Sequence, residues 1–552
     1  MKRVLCVILA SGILAGSLSA AGQAETKTAA PAVSKVKVNT TGFPLVAEPV
    51  TIKVSTILIP TARNFGDMPV FQELEKLTNV KVEWNMIPSA AQTEKINLML
   101  ASRDYPDVFL HSFPSISLPQ QLAKQNVVQS LSPFMATYAP NYSAMLAKYP
   151  DIKPYLVNPD GQIYSFPVYR NMLDLNSCGD RVFINTDWLK KLGLKYPQNI
   201  EEFYTVLKAF KTRDPNGNGK ADEIPFSLIV GVNNDISRWI QLFGPWGVVY
   251  PTIVKGGKVD LGFTQPGFKE GLKLFRKLYA EGLLDPESFT QNQEQLRAKT
   301  TVGNTFTVGT FHNYVSWLVV DKSVSLYYKD FTDPTPNPTI IYDVLTPLAG
   351  PTGTKSWPLV NAVRNLSAMQ GFVSATTKYP ELAVRWVDVR MDGKEWGYSM
   401  QEGLKGTNWR INEKGFVTPN DPPAGVTRND WRAQSSADAT PLFWDSMALP
   451  QVPQYGWITQ NEMAKKYEPF YDKASRFPSE YFPLAEEEEI IKRYWEGIRL
   501  YICENMVQFI TGEADIDKQW DAYVAGFSRL GLPDVLKAWQ GRYDRFIQSG
   551  GK

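Results

Sequence analysis

Histidine is nearly missing from this chain. Of 552 residues two are His, at His111 and His312, and three are Cys. Metal clusters and catalytic triads built on imidazole are therefore nearly excluded. No G-x-S-x-G, phosphate-loop or helix-opening G-x-G-x-x-G signature is present either. Charge of one sign is also lacking: 58 basic against 56 acidic residues leave a formal net charge of +2. A phosphate-backbone binder needs a basic stripe, so no nucleic acid is expected as partner. Beyond the amino terminus no apolar run reaches membrane-spanning length. Carboxylates are plentiful, so composition alone leaves a two-acid glycosidase open.

The amino terminus is informative. Lys2 and Arg3 precede a short apolar stretch, Val4 to Leu18, and then small residues, Ser19-Ala20-Ala21 and Gly22-Gln23-Ala24. That pattern is a secretory signal over residues 1–24, with cleavage after Ala21 or Ala24. Cys6 comes too early to be a lipid-anchor cysteine, so the expectation is a soluble exported protein, periplasmic or extracellular. Residues 25–48 are rich in Ala, Thr, Pro and Lys without periodicity, as in a disordered leader. Cys178 and Cys503 then remain. Two Cys in an oxidising compartment can pair. Cys503, however, sits in a helical pattern where a buried thiol is common.

The length exceeds what one core usually supports, which predicts two lobes. Thr51 to Ile59 reads as a strand, Val70, Phe71, Leu74 and Leu77 as a helix, and Val80, Val82 and Trp84 as a second strand. Ile96, Met99 and Leu100 mark another helix and Asp107 to Leu110 a third strand. A β-α-β-α-β order predicts a mostly parallel sheet. Ligands sit beyond the carboxyl ends of such strands. Thr61 to Asn64 and His111-Ser112 are candidate contacts on that ground. His312 and Asn313 likewise follow a predicted strand.

Arg181 to Ser227 holds the densest information. Asn199 and Glu202 form a helix-capping pair, and Phe203, Val206, Leu207 and Phe210 fall on one helical stripe. The helix runs into an Asn/Gly-rich loop with side-chain oxygens at Asp214, Asn216, Asn218, Asp222 and Glu223. Gly217 and Gly219 let the backbone curl inward, and the Lys220 carbonyl can point at the centre. Hard oxygen ligands on alternate residues suit Ca2+. The twelfth position is Pro225, so this is not a regular EF-hand; a hydrated turn is the alternative. A loop saturated by its own oxygens leaves little room for substrate, so the ion's expected role is structural.

Several segments together resemble family 1 extracellular solute-binding proteins of ABC importers, in the branch of large oligosaccharide binders. They are FINTDWLKKLGL, EEFYTVLKAFK, DPNGNGKADEIP, GQIYSFP, LYAEGLLDPE and ITGEADIDKQWDAY. The resemblance implies a two-lobed α/β periplasmic binding fold of type II, with a ligand cleft between the lobes. In relatives of the alginate-oligosaccharide type the loop binds calcium, and its ligand positions match those named above. The resemblance also implies that residues 49–168 and 365–420 form the first lobe, and 169–364 and 421–552 the second. Relatives place a sugar-stacking aromatic in the loop that holds Trp246.

Aromatics outside clear helical stripes are the other site candidates: Trp246, between Pro and Gly, and Tyr164, Trp409 and Trp444. Such rings can stack on sugar faces while Asn, Asp, Arg and His bond the hydroxyls. The expected protein is a monomeric clamp that closes on a carbohydrate and hands it to the transmembrane subunits of an ABC permease. A secreted polysaccharide-degrading enzyme, or a binder of peptides or other solutes, are the rival readings.

Overall fold

The computed structural model describes residues 36–551 except 59–61, 112–117, 172–178, 231–235, 303–304, 331–332, 361–365, 438–439, 452–454 and 480. Residues 1–35, which hold the expected signal and the first part of the expected leader, and Thr61, Ser112 and Cys178 lie outside the described residues. Residues 36–48 correct the expectation of a disordered leader, because Leu45 and Val46 are buried in the first lobe's core.

The expected alternation opens the chain: β1 (Val50–Leu58), α1 (Pro69–Thr78), β2 (Val80–Pro88), α2 (Gln92–Ser102) and β3 (Val108–Leu110). β1 lies between β2 and β3, parallel to both. β4 (Ser165–Asn171) is the last strand before the chain crosses to a second sheet. There β5 (Arg181–Asn185), α3 (Ile200–Thr212), β6 (Ile224–Ser227), α4 (Pro266–Ala280), β7 (Val308–Asn313) and β8 (Tyr342–Leu345) follow. The chain then returns as β9 (Leu366–Val373), α5 (Pro380–Asp388), α6 (Glu395–Glu402), α7 (Arg428–Ser435) and β10 (Leu442–Asp445). Three helices end it: α8 (Ala485–Thr511), α9 (Ile516–Arg529) and α10 (Leu532–Gln548).

The first sheet has six strands in the order β10-β4-β9-β3-β1-β2, and the second has four in the order β8-β5-β7-β6. Both are mixed. In the second, β7 runs parallel to β6 while β5 is antiparallel to both its neighbours. It is thus less parallel than the first lobe's opening pattern suggested, because β5 enters from the other lobe rather than through a crossover helix. Pro167 sits inside β4, where it removes a ladder donor. The partner strand β9 bulges between Ser367 and Gly371 opposite it, which absorbs the missing bond.

Two main apolar cores match the two sheets. The second lobe's core holds Phe183, Trp188, Phe210, Phe268 and Phe311, and the first lobe's holds Val54, Phe71, Val108, Tyr142 and Trp386. α3 shows why its sequence folds so. Asn199 accepts a hydrogen bond from the Glu202 amide at 2.8 Å, while the Glu202 carboxylate reaches back to Gln198 N at 2.8 Å and Asn199 Nδ2 at 3.0 Å. Each cap satisfies an amide the helix leaves orphaned.

One expectation about lobe membership needs correcting. The resemblance places residues 421–552 in the second lobe, but β10 pairs in parallel with β4 of the first sheet. The excursion closes around Gln451, which bridges to Val417. The physical reason is burial: Leu442 and Trp444 complete the first lobe's core beneath α6. α10 straddles both cores. Val535 and Trp539 pack in the second, whereas Phe546 stands 5.6 Å from Tyr155 and 5.4 Å from Tyr481 in the first. Cys503 on α8 is a free, half-buried thiol whose pKa burial raises.

The α6–β10 packing is a backbone contact. A Cβ added at Gly397 would lie 1.7 Å from the Phe443 carbonyl oxygen. Gly397→Ala should therefore cost at least about 1–3 kcal/mol by overpacking. Denaturant unfolding should show the midpoint falling, whereas Ala at the open Gly497 site should leave it nearly unchanged.

Candidate ligand cleft and loop site

The chain leaves the first sheet at the carboxyl end of β4 and enters the second at the amino end of β5. That edge of the first sheet also carries the carboxyl ends of β1, β3 and β10. The matching edge of the second carries Arg181, Asn313, Ser227 and Leu345. Strand ends leave backbone and side-chain polar groups outside the ladders, so these two edges are where a ligand finds hydrogen-bond partners.

On the first edge His111 follows β3 directly, with φ +48°. Its ring Nδ1 lies 2.5 Å from Gln370 Oε1 and its amide donates to Gln370 O at 2.6 Å, leaving it half-buried. Asn64 is exposed, and its side chain caps a short turn by accepting from Gly66 N at 2.9 Å. Asn171 closes β4, donating to Asp445 Oδ1 at 3.0 Å and to Tyr149 Oη at 2.7 Å. Lys148 completes that group by pairing with Asp445. Arg170 donates to Gln401 Oε1 at 2.6 Å.

On the second edge a buried polar group surrounds the crossing. Asp180 pairs with Arg238, and His312 Nδ1 stands 3.9 Å from the same carboxylate. Arg181 is fully buried and donates to the carbonyl of Tyr314 and to Gln460 Oε1. Asn313 donates to Gln293 Oε1 at 2.8 Å and accepts from Tyr314 N at 2.8 Å. His312 is 6% exposed, and its Nε2 is buried without a hydrogen-bond partner. Burial pushes its pKa down to about 4, with Asp180 opposing and Arg238 reinforcing the shift.

The aromatic candidates sit elsewhere. Trp409 and Trp444 are buried at 0% and 1% exposure, and both edges pack on Tyr398. Their indole nitrogens donate to Gly403 O and Leu449 O. Neither ring has a free face for a sugar, so both belong to the first lobe's core. Tyr164 is likewise buried, donating to Asp160 Oδ2 at 2.7 Å; burial first and Asp160 second raise its pKa. Trp246 is half-buried against Phe243 and α4, and lines an apolar pocket with Leu242, Leu274, Leu345 and Trp357. Sequence reasoning missed Asp180, Arg181, Arg238 and Gln293. The available signal was a charged pair, Asp180-Arg181, at the mouth of a predicted strand.

The loop after α3 curls as expected, with Gly217 and Gly219 both at φ +73°. Asp214 gathers the backbone: its Oδ1 accepts from Gly217 N at 2.9 Å and its Oδ2 from Gly219 N at 3.0 Å. Asn216 and Asn218 donate their side-chain amides to Asp222, at 2.8 and 2.9 Å. The Asn216 bond leads the causes that hold the Asp222 carboxyl below its usual range. Glu223 behaves oppositely: burial, then the charges of Asp214 and Asp222, raise it, and its Oε1 is buried without a partner. Among the described residues no group of three or more His, Cys, Asp or Glu is arranged as a metal site. The donor set here mixes three acids with two amides and a carbonyl. An orphaned carboxylate oxygen beside two further acids fits a hard cation.

Residues 65–389 match the model of the bacterial extracellular solute-binding protein family. The chain belongs to that family. It is 28% identical over 523 residues to the fructooligosaccharide ABC transporter substrate-binding protein FusA of Streptococcus pneumoniae serotype 4, covering 91% of this chain and 92% of FusA. FusA in complex with kestose superposes with a TM-score of 0.71 at 27% identity, over 90% of this chain and 99% of that one. An extracellular solute-binding protein from Bifidobacterium longum subsp. infantis gives 0.76 at 21% identity, over 90% and 98%. Alginate-binding AlgQ2 without calcium ion gives 0.62 at 25%, over 90% and 99%. The architecture is thus the two-lobed type II binding fold. Among the described residues no helix is long and apolar enough to cross a membrane.

His312 carries a pH consequence. Its folded pKa lies below the 6.5 of a free imidazole. The unfolded chain therefore binds a proton that the folded one refuses, and stability is full above pH 6.5 and falls toward pH 4. The loss is worth roughly 3 kcal/mol at most. Unfolding free energies at pH 7 and pH 4.5 should differ less in His312→Gln than in the parent chain.

Proposed function

We propose that this protein is the extracytoplasmic solute-binding component of an ABC importer, which captures an oligosaccharide between its lobes and releases it intact to a permease. The observation that carries this reading is similarity to FusA across 91% of the chain, together with two polar sheet edges meeting at the lobe crossings. FusA is seen with kestose, a short oligosaccharide. The first lobe comprises residues from 49 to the crossing after Asn171, and again from Leu366 to near Gln451. The second comprises Arg181 to the return and most of the terminal helices. His111 and Asn64 would contact sugar hydroxyls from the first lobe. Asn313 and His312 would act from the second, His312 as a neutral group because burial keeps it unprotonated near pH 7. Trp246 becomes a stacking platform only if closure uncovers its face. The protein acts as a monomer.

No chemistry on the cargo is required. Isothermal titration against a panel of neutral and acidic oligosaccharides should give stoichiometric binding, and mass spectrometry after prolonged incubation should recover each sugar at its original mass. Shortened products would identify the secreted-enzyme alternative instead.

The loop after α3 would hold Ca2+ through Asp214, Asn216, Asn218, Asp222, Glu223 and the Lys220 carbonyl. Calcium, when bound, supplies positive charge that offsets the three crowded carboxylates. The residues themselves tie the end of α3 to the start of β6, far from either polar edge, so the role is structural. The relative FusA has been seen as an EF-hand mutant, which supports this reading. Excess Ca2+ should raise the melting temperature, by about 2.7 kcal/mol of stability at a concentration one hundred times Kd. Glu223→Gln should abolish most of that shift. Equal melting curves with calcium and with chelator would remove the site.

A further inference from the structure

We propose that the cargo is an anionic oligosaccharide, carrying carboxylates or sulfates, and that Arg63 is the residue that selects for the charge. The inference rests on the oligosaccharide reading above and names the substrate class within it.

The two polar edges differ in how their charges are balanced. On the second edge Arg238 is neutralised by Asp180, and Arg181 is fully buried against a carbonyl and an amide. On the first edge Lys148 is neutralised by Asp445. A further set of charged groups surrounds α6 and α7. Arg63, Arg170, Arg428 and Arg432 gather there about the carboxyl end of α6. Glu402 is the carboxylate between them, 3.1 Å from Arg432 Nε and 3.9 Å from Arg428 Nη2.

Arg63 stands apart within this group. It lies beyond the carboxyl end of β1, is exposed, and its guanidinium touches one side chain, the neutral amide oxygen of Gln434, at 3.5 Å. Among the described residues no carboxylate lies within ion-pair distance of it. Gln434 belongs to α7, and the half-buried Trp431 lies one turn earlier on that helix, on the same side. An aromatic and a guanidinium with free donors thus border the edge where the lobes cross.

A neutral sugar would gain ordinary hydrogen bonds from this rim. A carboxylate or sulfate gains charge-assisted, paired bonds that a guanidinium fork fits geometrically. An exposed guanidinium with no carboxylate at ion-pair distance among the described residues also attracts an anionic ligand.

Titration calorimetry on the full chain tests this with four probes: trigalacturonate, its methyl ester, a sulfated carrageenan tetrasaccharide and kestose. Binding of trigalacturonate or the sulfated sugar at least about tenfold tighter than ester and kestose, weakening as salt rises, is expected. Whichever anion wins identifies the source of the charge. Arg63→Ala should weaken the anionic probes far more than the neutral ones and so erase the gap, with the melting temperature unchanged, and Arg63→Lys should restore part of it. Neutral probes that bind as tightly as both anions overturn the proposal and leave the oligosaccharide reading standing. So does a gap that survives Arg63→Ala. Binding of none of the four removes both.

Discussion

The polar edges of both sheets lie where the chain changes lobes. That follows from one constraint. Buried backbone amides and carbonyls must be paired, and inside the sheets the ladders pair them. The crossing between Asn171 and Arg181 and the return into Leu366 both occur where the ladders stop. Polar side chains therefore collect there to take over: Asn171 with Asp445 and Tyr149 on one side, Arg181 with Tyr314 and Gln460 on the other. Polar edges are thus a by-product of ending two sheets where the chain crosses between them.

The two sides are finished differently. The second edge is buried: Arg181 and Asn313 bond internal partners, and His312 keeps a buried Nε2 without one. The first is wetter, with His111 half-buried and Asn64, Arg63 and Arg428 exposed. Preformed hydrogen bonds on the buried side fix orientation at little entropic cost. Exposed side chains on the other side remain free to adapt as the lobes approach.

Much of this was legible in the residues. Periodicity found the opening strands and helices, because each has one apolar face and a turn signal at its end. The capping pair at Asn199 and the curl at Gly217 and Gly219 were readable because they are local. What could not be read is the excursion through β10. Its four residues, Leu-Phe-Trp-Asp, are an apolar run buried on both faces, and nothing local says which sheet they join. Trp409 and Trp444 misled for the same reason. They sit on short strands without a helical stripe, so burial against Tyr398 left no periodic trace. Arg63 falls within the Thr61–Asn64 stretch expected at the ligand edge, but a lone arginine after a strand has no pattern that gives it a role; only the fold brings it to Gln434.

The terminal helix adds a condition on how the halves move. α10 is rooted in the second lobe by Val535 and Trp539, yet its last turn seats Phe546 between Tyr155 and Tyr481 of the first. The halves are thus pinned by a side chain as well as strung together by backbone. A closing rotation must either run its axis close to that ring or drag the ring from its socket, and burial makes the second course expensive. The last helix thereby restrains any pivot between the two sheets through residues far along the chain from either crossing.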